Sequence, residues 1–237
     1  MSSFDKNKRT GRSPKLSLGE AQAPRPDNSP GEPRQDGQDI LGEGKTKEKD
    51  SRKLIVEIAE RLFRQIGFQK TTVADIAREL HMSSANVYRF FTAKSEINEA
   101  VCKDLLSKIE AEAEKIAASR STAAQKIRNL FGSVEQAHHQ LFTVDRKLHD
   151  LIEAAITENW TIMCGHTERM AAILERIIAS GMASNEFPKG DAALASRLVN
   201  TACMRFWHPR LIAEYEQEPE PTLDQMIGFC LAAITRI

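Results

Sequence analysis

Between Val73 and Phe91 two apolar-patterned segments stand so close together that only a tight turn fits between them. In the stretch VADIARELHMSSANVYRFF, Val73, Ile76, Ala77 and Leu80 recur at the period of one helix face, and Val87 with Phe90 or Phe91 does the same for the next. Thr71 and Thr72 offer an N-cap for the first segment, with Asp75 near the positive end of its dipole. Ser83 or Ser84 caps the second, which is expected to run to about Phe91. Only His81 and Met82 remain between them, and helices so joined must cross steeply, as in a helix-turn-helix. So small a pair needs a third element to close a core. The helix before it supplies one, with Leu54, Ile55, Ile58, Ala59, Leu62, Phe63 and Ile66 at helical spacing and Gly67 as its terminator.

The other face of the second segment carries Ser84, Ala85, Asn86, Tyr88 and Arg89, where a purely structural hairpin would carry Glu and Lys. Small residues at its leading end let the helix backbone approach a duplex, Asn pairs with the edge of adenine, and Tyr or Arg holds phosphate. Charge is laid out in the same sense. Residues 45–94 hold 11 Lys and Arg against 6 Asp and Glu, residues 95–237 hold 15 against 20, and residues 1–44 hold 7 of each. A formally neutral chain thus has a basic middle and an acidic remainder. Lys and Arg gain by displacing counterions from phosphates, so a polyanion suits the basic part, although helical domains often differ by a few charges without such a partner.

The run from Arg52 to Val101, RKLIVEIAERLFRQIGFQKTTVADIARELHMSSANVYRFFTAKSEINEAV, resembles the N-terminal DNA-binding domain of the TetR family of bacterial transcriptional regulators. The likeness is carried by AERLFRQIGFQKTTVADIA, by Tyr88 closing the second helix, by Phe91, and by Lys94 before an acidic and apolar helix start. It implies that Ser84, Ala85, Asn86 and Tyr88 meet the major groove or its phosphates and that Lys94 meets phosphate. Thr72, Ser83 and Arg89 complete the expected DNA-binding set. Two positions depart from the family pattern. His81 stands where the family usually has Gly, in a turn whose left-handed backbone costs His more than Gly. Phe90 stands where the family often has His or Tyr, so a backbone hydrogen bond is expected to be missing there. Both leave the operator sequence open.

Residues 1–44 contain five of the nine prolines and six of the twelve glycines, too little apolar surface to offset the entropy of ordering, and a disordered tail is expected. Its basic start, Lys6, Lys8, Arg9, Arg12 and Lys15, reads either as an arm on DNA or as a solubilising leader. The expected architecture is all-α: the tail, a three-helix DNA-binding domain with a helix-turn-helix over 45–94, and a larger helical domain over 95–237. The latter is read as helices at about 95–118, 121–142, 146–156, 158–180, 191–207, 209–216 and 222–236. The resemblance implies that this domain binds an effector and dimerises.

An effector cavity is expected between the stripe Ile127, Leu130, Phe131, Val134, His138 and Leu141 and the one containing Trp160, Met163, Cys164, Thr167 and Met170. Rings and thioethers repack around varied shapes, which suits Phe131, Trp160 and Met163 to a small, largely apolar ligand, with His138, Thr167 and Met170 beside them. The same stripes also read as plain core. In the last helices, Leu194, Leu198, Ala202 and Phe206 on one and Met226, Phe229, Cys230, Ala233 and Ile234 on the other leave more apolar surface than a terminal helix pair needs. The resemblance assigns such a pair to a homodimer, whose two-fold axis would demand a near-palindromic, double-stranded operator.

Other chemistry finds little support. Cys102, Cys164, Cys203 and Cys230 show no metal or disulfide spacing, and no apolar run reaches membrane-spanning length or resembles an export signal, so a cytoplasmic protein is expected. His138 and His139 point about 100° apart on a helix and cannot share a metal as His at i, i+4 do; adding Asp145 or His149 makes only a conceivable cluster. Hydrolase, P-loop and dinucleotide motifs do not occur, and neither a cofactor nor an enzymatic activity is expected. Two other readings stay open: a regulator of this fold with no small-molecule ligand, and, more remotely, an enzyme built on the helical body.

Overall fold

The computed structural model describes residues 39–158, 160–215 and 220–235, and among these it contains α-helix, one 3-10 turn and no strand. The helices are α1 (Asp39–Ile66), α2 (Val73–Glu79), α3 (Ser84–Tyr88), α4 (Lys94–Ala118), α5 (Ala123–Thr143), α6 (Arg146–Thr157), α7 (Thr161–Ala183), α8 (Ala192–Ala202), α9 (Pro209–Glu214) and α10 (Leu223–Ile234), with the 3-10 turn at Met204–Phe206. The expected tail and its basic start lie, up to residue 38, outside the described residues. Residues 39–44, read as tail, are helical instead. Extending a formed helix costs far less than nucleating one, so α1 runs on past the start of its apolar pattern.

The first core is built as the apolar spacing requires. Ile55, Ala59, Leu62 and Phe63 of α1 meet Val73, Ile76 and Ala77 of α2, Val87 of α3, and Phe91, Ile97 and Val101 beyond it. Leu54 and Ile66, counted with the stripe, lie at its edges and are exposed. Gly67 ends α1 with φ +91°, its N–H bonded 2.9 Å to the Phe63 carbonyl. The same core runs on through Leu105 and Leu106 of α4 to Leu141 of α5 and to Leu148, Leu151, Ile152 and Ala155 of α6. α4, which begins at Lys94, thus contributes to this core and, through Ala113, to a second one.

A second core gathers Ala113 of α4, Ile127, Leu130 and Phe131 of α5, Ile173, Leu174, Ile177 and Ile178 of α7, Val199 of α8 and Ile227, Leu231 and Ile234 of α10. Gly181 on α7 lets this core close: a Cβ there would sit 2.5 Å from the Phe187 ring and 2.7 Å from Ala123. Glu186 then caps α5 from sixty residues away, its carboxylate accepting from the N–H groups of Ala123 at 2.6 Å and Ala124 at 2.8 Å. These are two of the donors a helix start leaves without partners. The helix read at 191–207 breaks after Ala202 into the 3-10 turn, and the helix read to Phe91 stops at Tyr88. Among the described residues no helix is long and apolar enough to cross a membrane.

Candidate nucleic-acid interface and effector cavity

The turn between α2 and α3 takes its form from His81, which adopts φ +52° as the family comparison of glycine and histidine suggested. Met82 N–H bonds the Ala77 carbonyl at 2.9 Å and His81 N–H bonds that of Arg78 at 3.1 Å, the paired bonds of a Schellman motif. Thr72 caps α2 in a full capping box: Asp75 N–H donates to its hydroxyl at 3.1 Å, while the Asp75 carboxylate accepts from Thr72 N–H at 3.0 Å and from its hydroxyl at 2.6 Å. Those Thr72 hydrogen bonds hold the Asp75 carboxyl below its ordinary pKa. The Thr72 hydroxyl and N–H are both engaged in this cap. Ser83 is the cap of α3, accepting from Asn86 N–H at 3.2 Å.

With Val87 fully buried, α3 is fixed in rotation, and this is what presents Ala85, Tyr88 and Arg89 to solvent with Ser84 and Asn86 half-buried at their edges. Tyr88 remains 47% exposed. Asn86 is held loosely, its amide nitrogen 3.8 Å from Met82 Sδ and its oxygen 3.4 Å from Arg89 Nη1, contacts weak enough to be exchanged for a base edge. Lys94 stands at the first position of α4, where its ammonium donates to the Gln69 carbonyl at 3.0 Å and partial burial lowers its pKa. Arg52, which opens the stretch resembling the family, donates to the Phe90 carbonyl and stacks 4.2 Å from the centre of the Phe91 ring. It ties α1 to the end of the recognition segment, a role that spacing alone does not reveal.

The cavity of the larger domain lies between α5, α7 and α8. Leu130, Phe131, Val134, His166, Thr167, Met170, Leu174, Asn200 and Trp207 line it, and its volume is about 40 Å³, room for roughly three water molecules. Of the residues read as an effector site, Phe131, Thr167 and Met170 are thus brought together, whereas His138, Trp160 and Met163 fall outside the lining. His138 lies one turn beyond Val134 on α5 and is buried, its Nδ1 without a partner. Trp160 and Met163 pack on the first core because α7 begins beside it, and the Trp160 indole donates to Glu158 at 2.8 Å. His166, Asn200 and Trp207 were not singled out from the sequence; His166 sits four residues before Met170, so the helical stripe already passed through it.

Behind the cavity, Glu110 of α4 joins α7 by three bonds: His166 Nδ1 at 2.7 Å, Arg169 Nε at 2.8 Å and Arg169 Nη2 at 2.8 Å. Burial opposes the charge on Glu110, but Arg169 and His166 hold its pKa below the ordinary value. Burial lowers the pKa of His166, with Glu110 acting against it. Closer to the DNA-binding end, Arg64 of α1 pairs with Asp145 at the start of α6 and with Glu60 at 2.8 Å, and Lys147 donates to the Gln65 carbonyl. These contacts join the start of α6 to the end of α1. No group of His, Cys, Asp and Glu among the described residues is arranged to hold a metal, which includes the conceivable set around His138.

On the outer side of α8 and α10, Leu194, Leu198 and Phe229 are 47%, 55% and 71% exposed. Ala202, Phe206, Met226 and Ala233 are half-buried beside them. Cys230 departs from the expected face: it is buried with Cys203 in the second core, because it lies one residue round α10 from Phe229, on the inward side.

A capped helix-turn-helix on a three-helix core, joined through a shared helix to a larger helical domain with a cavity, defines a helix-turn-helix transcriptional regulator. Two family profiles match in the corresponding order: bacterial regulatory proteins of the tetR family over residues 55–101, and the tetracyclin repressor-like C-terminal domain over residues 123–225. The chain belongs to the TetR family of DNA-binding transcriptional regulators. It is 28% identical over 133 residues to the helix-turn-helix transcriptional regulator YhgD of Bacillus subtilis, an alignment covering 55% of this chain and 64% of that one, so the chain spans less than two thirds of that relative's length. The fold is shared with a TetR/AcrR regulator of Thermobifida fusca, at TM-score 0.56 and 21% identity over 78% of this chain and 97% of the other. It is shared also with the regulator FadR of Bacillus subtilis, solved with stearoyl-CoA, at TM-score 0.53 and 18% identity over 77% and 96%.

Proposed function

We propose that this protein is a cytoplasmic, homodimeric repressor that binds a near-palindromic operator and is released from it by a small, largely apolar effector. The observation that carries the reading is the rotation of α3, whose buried Val87 leaves Ser84, Ala85, Asn86, Tyr88 and Arg89 facing outward. Asn86, with Ser84, Ala85 and Arg89, reads base edges, while Tyr88 and Lys94 hold phosphates. The exposed Leu194, Leu198 and Phe229, with Met226, Ala202, Phe206 and Ala233, form the self-complementary face of a two-fold dimer. That dimer sets two recognition helices about 34–36 Å apart, one turn of the duplex.

The cavity is far smaller than the roughly 300 Å³ of an ordinary ligand site. An effector therefore enters only as α5, α7 and the Trp207 segment move apart. This gives it the differential affinity for two shapes that release from DNA requires. The ties from Asp145 and Lys147, at the start of α6, to Arg64 and Gln65 carry that movement to α1. The same small volume favours a second reading, a regulator of this fold with no small-molecule ligand.

Selection of bound sequences from random DNA tests the proposal. An inverted repeat with half-sites about one helical turn apart is the expected outcome; recovery of no common sequence would refute it. Screening compounds for release from the winning sequence then separates the two readings.

A further inference from the structure

The polar groups of the cavity have unequal hydrogen-bonding capacity, and their partners fix it. His166 turns Nδ1 to the Glu110 carboxylate at 2.7 Å, so that nitrogen carries the proton and Nε2 is left as an acceptor. Arg169 closes a bidentate pair on the same carboxylate, which balances the Glu110 charge and leaves the imidazole neutral. The Thr167 hydroxyl donates its only proton to the Met163 carbonyl at 3.0 Å and can offer the cavity nothing but lone pairs. Asn200 alone carries both a donor and an acceptor. Around these, Leu130, Phe131, Val134, Met170 and Leu174 are apolar, Trp207 adds a ring with a single N–H donor, and no Lys or Arg is among the described lining residues.

A carboxylate or phosphate entering this space would meet two sets of lone pairs and lose its hydration without a counter-charge. An ether would leave the His166 acceptor buried and unpaired. Resting on the effector reading above, we infer that the cavity selects an uncharged molecule whose polar end is a hydroxyl group, donating its proton to His166 Nε2. Glu110 is a positioning residue here: it never touches the ligand but fixes which imidazole nitrogen accepts. Burial, which keeps His166 neutral, works in the same direction.

The test uses the full chain and a matched series, 2-naphthol, 2-methoxynaphthalene and 2-naphthoate, followed by calorimetry near pH 7.5. The naphthol is expected to bind at least tenfold more tightly than the ether, and at least a hundredfold more tightly than the naphthoate. His166→Phe should bring naphthol and ether within about threefold of each other while both still bind. Should that variant fail to fold, the ring nitrogens of His166 in the unaltered protein decide the matter by ¹⁵N NMR. A proton on Nδ1 and a naphthol-induced shift at Nε2 support the inference; a proton on Nε2, or an imidazolium, overturns it. Naphthoate binding as tightly as naphthol, or a naphthol preference that survives His166→Phe, overturns it as well. So does the failure of all three to bind. Operator binding is measured on the same samples: its loss refutes the regulator reading, whereas its persistence beside any of the contrary results refutes the hydroxyl selectivity alone.

Discussion

Replacing His81 by glycine and by valine isolates the backbone cost of the turn that aims the recognition helix. Both substitutions remove the same exposed imidazole, so only their effect on a residue at φ +52° differs. An L-residue in the left-handed region costs about 1–2 kcal/mol relative to glycine. Glycine gives back about 0.5–1 kcal/mol through its greater freedom in the unfolded chain. His81→Gly should therefore stabilise the protein by about 0.5–1 kcal/mol, which for a chain of this size raises the unfolding midpoint by roughly 1–4 °C. His81→Val places a β-branched side chain where it is a steric outlier and should lose about 1 kcal/mol or more. Thermal or urea unfolding at fixed protomer concentration reads both, since dimerisation makes the midpoint depend on concentration. Operator affinity of the glycine variant should stay within about threefold, because the Schellman bonds from His81 and Met82 are backbone bonds and survive. If both variants lost equal stability, the imidazole rather than the backbone would govern the turn, and the reasoning would fail.

Three other outcomes follow from the caps, buried histidines and DNA-facing cations of the fold. Glu186→Gln removes one of the two carboxylate acceptors that cap α5 and turns an amide toward an N–H, and should cost about 1–3 kcal/mol in denaturant unfolding; a neutral result would show that the α5 cap does not matter. Burial, with the neighbouring His166 and His149, pushes the pKa of His138 down from 6.5 to about 4. Between those values the unfolded chain binds the proton and the folded chain does not, so stability is complete above pH 6.5 and falls by up to about 3 kcal/mol as the pH drops to 4. His138→Leu should remove that part of the pH dependence, and an unchanged profile would contradict it. Lys94→Ala should weaken binding equally on every DNA sequence and lower the salt slope by about 0.9, one phosphate's worth; a loss confined to one base position would contradict its assignment.

Much of this architecture is legible in the sequence because local and tertiary demands agree. Thr72 announces the N-cap of α2, Val73, Ile76, Ala77 and Val87 announce the head core, and helix limits in the larger domain, the end of α8 apart, fall within a few residues of those read from polar breaks. What was not legible depends on partners distant in the chain. Glu110 lies more than fifty residues from His166 and Arg169, and nothing in its own neighbourhood separates it from a solvated glutamate. Trp160 and Met163 share a stripe with Met170, but α7 is long enough to serve the first core at one end and the cavity at the other. Cys230 missed the outer face by a single step round α10, since in an almost wholly apolar segment the pattern does not mark which side is inward.

The most direct test of the central claim is the affinity of the parent and of Asn86→Ala, at one salt concentration, for the selected operator and for its single-base variants. The alanine substitution is expected to flatten the preference at one position in each half-site by about 1–3 kcal/mol, leaving the other positions unchanged. An equal loss on every sequence, or no preference in the parent to begin with, would contradict it.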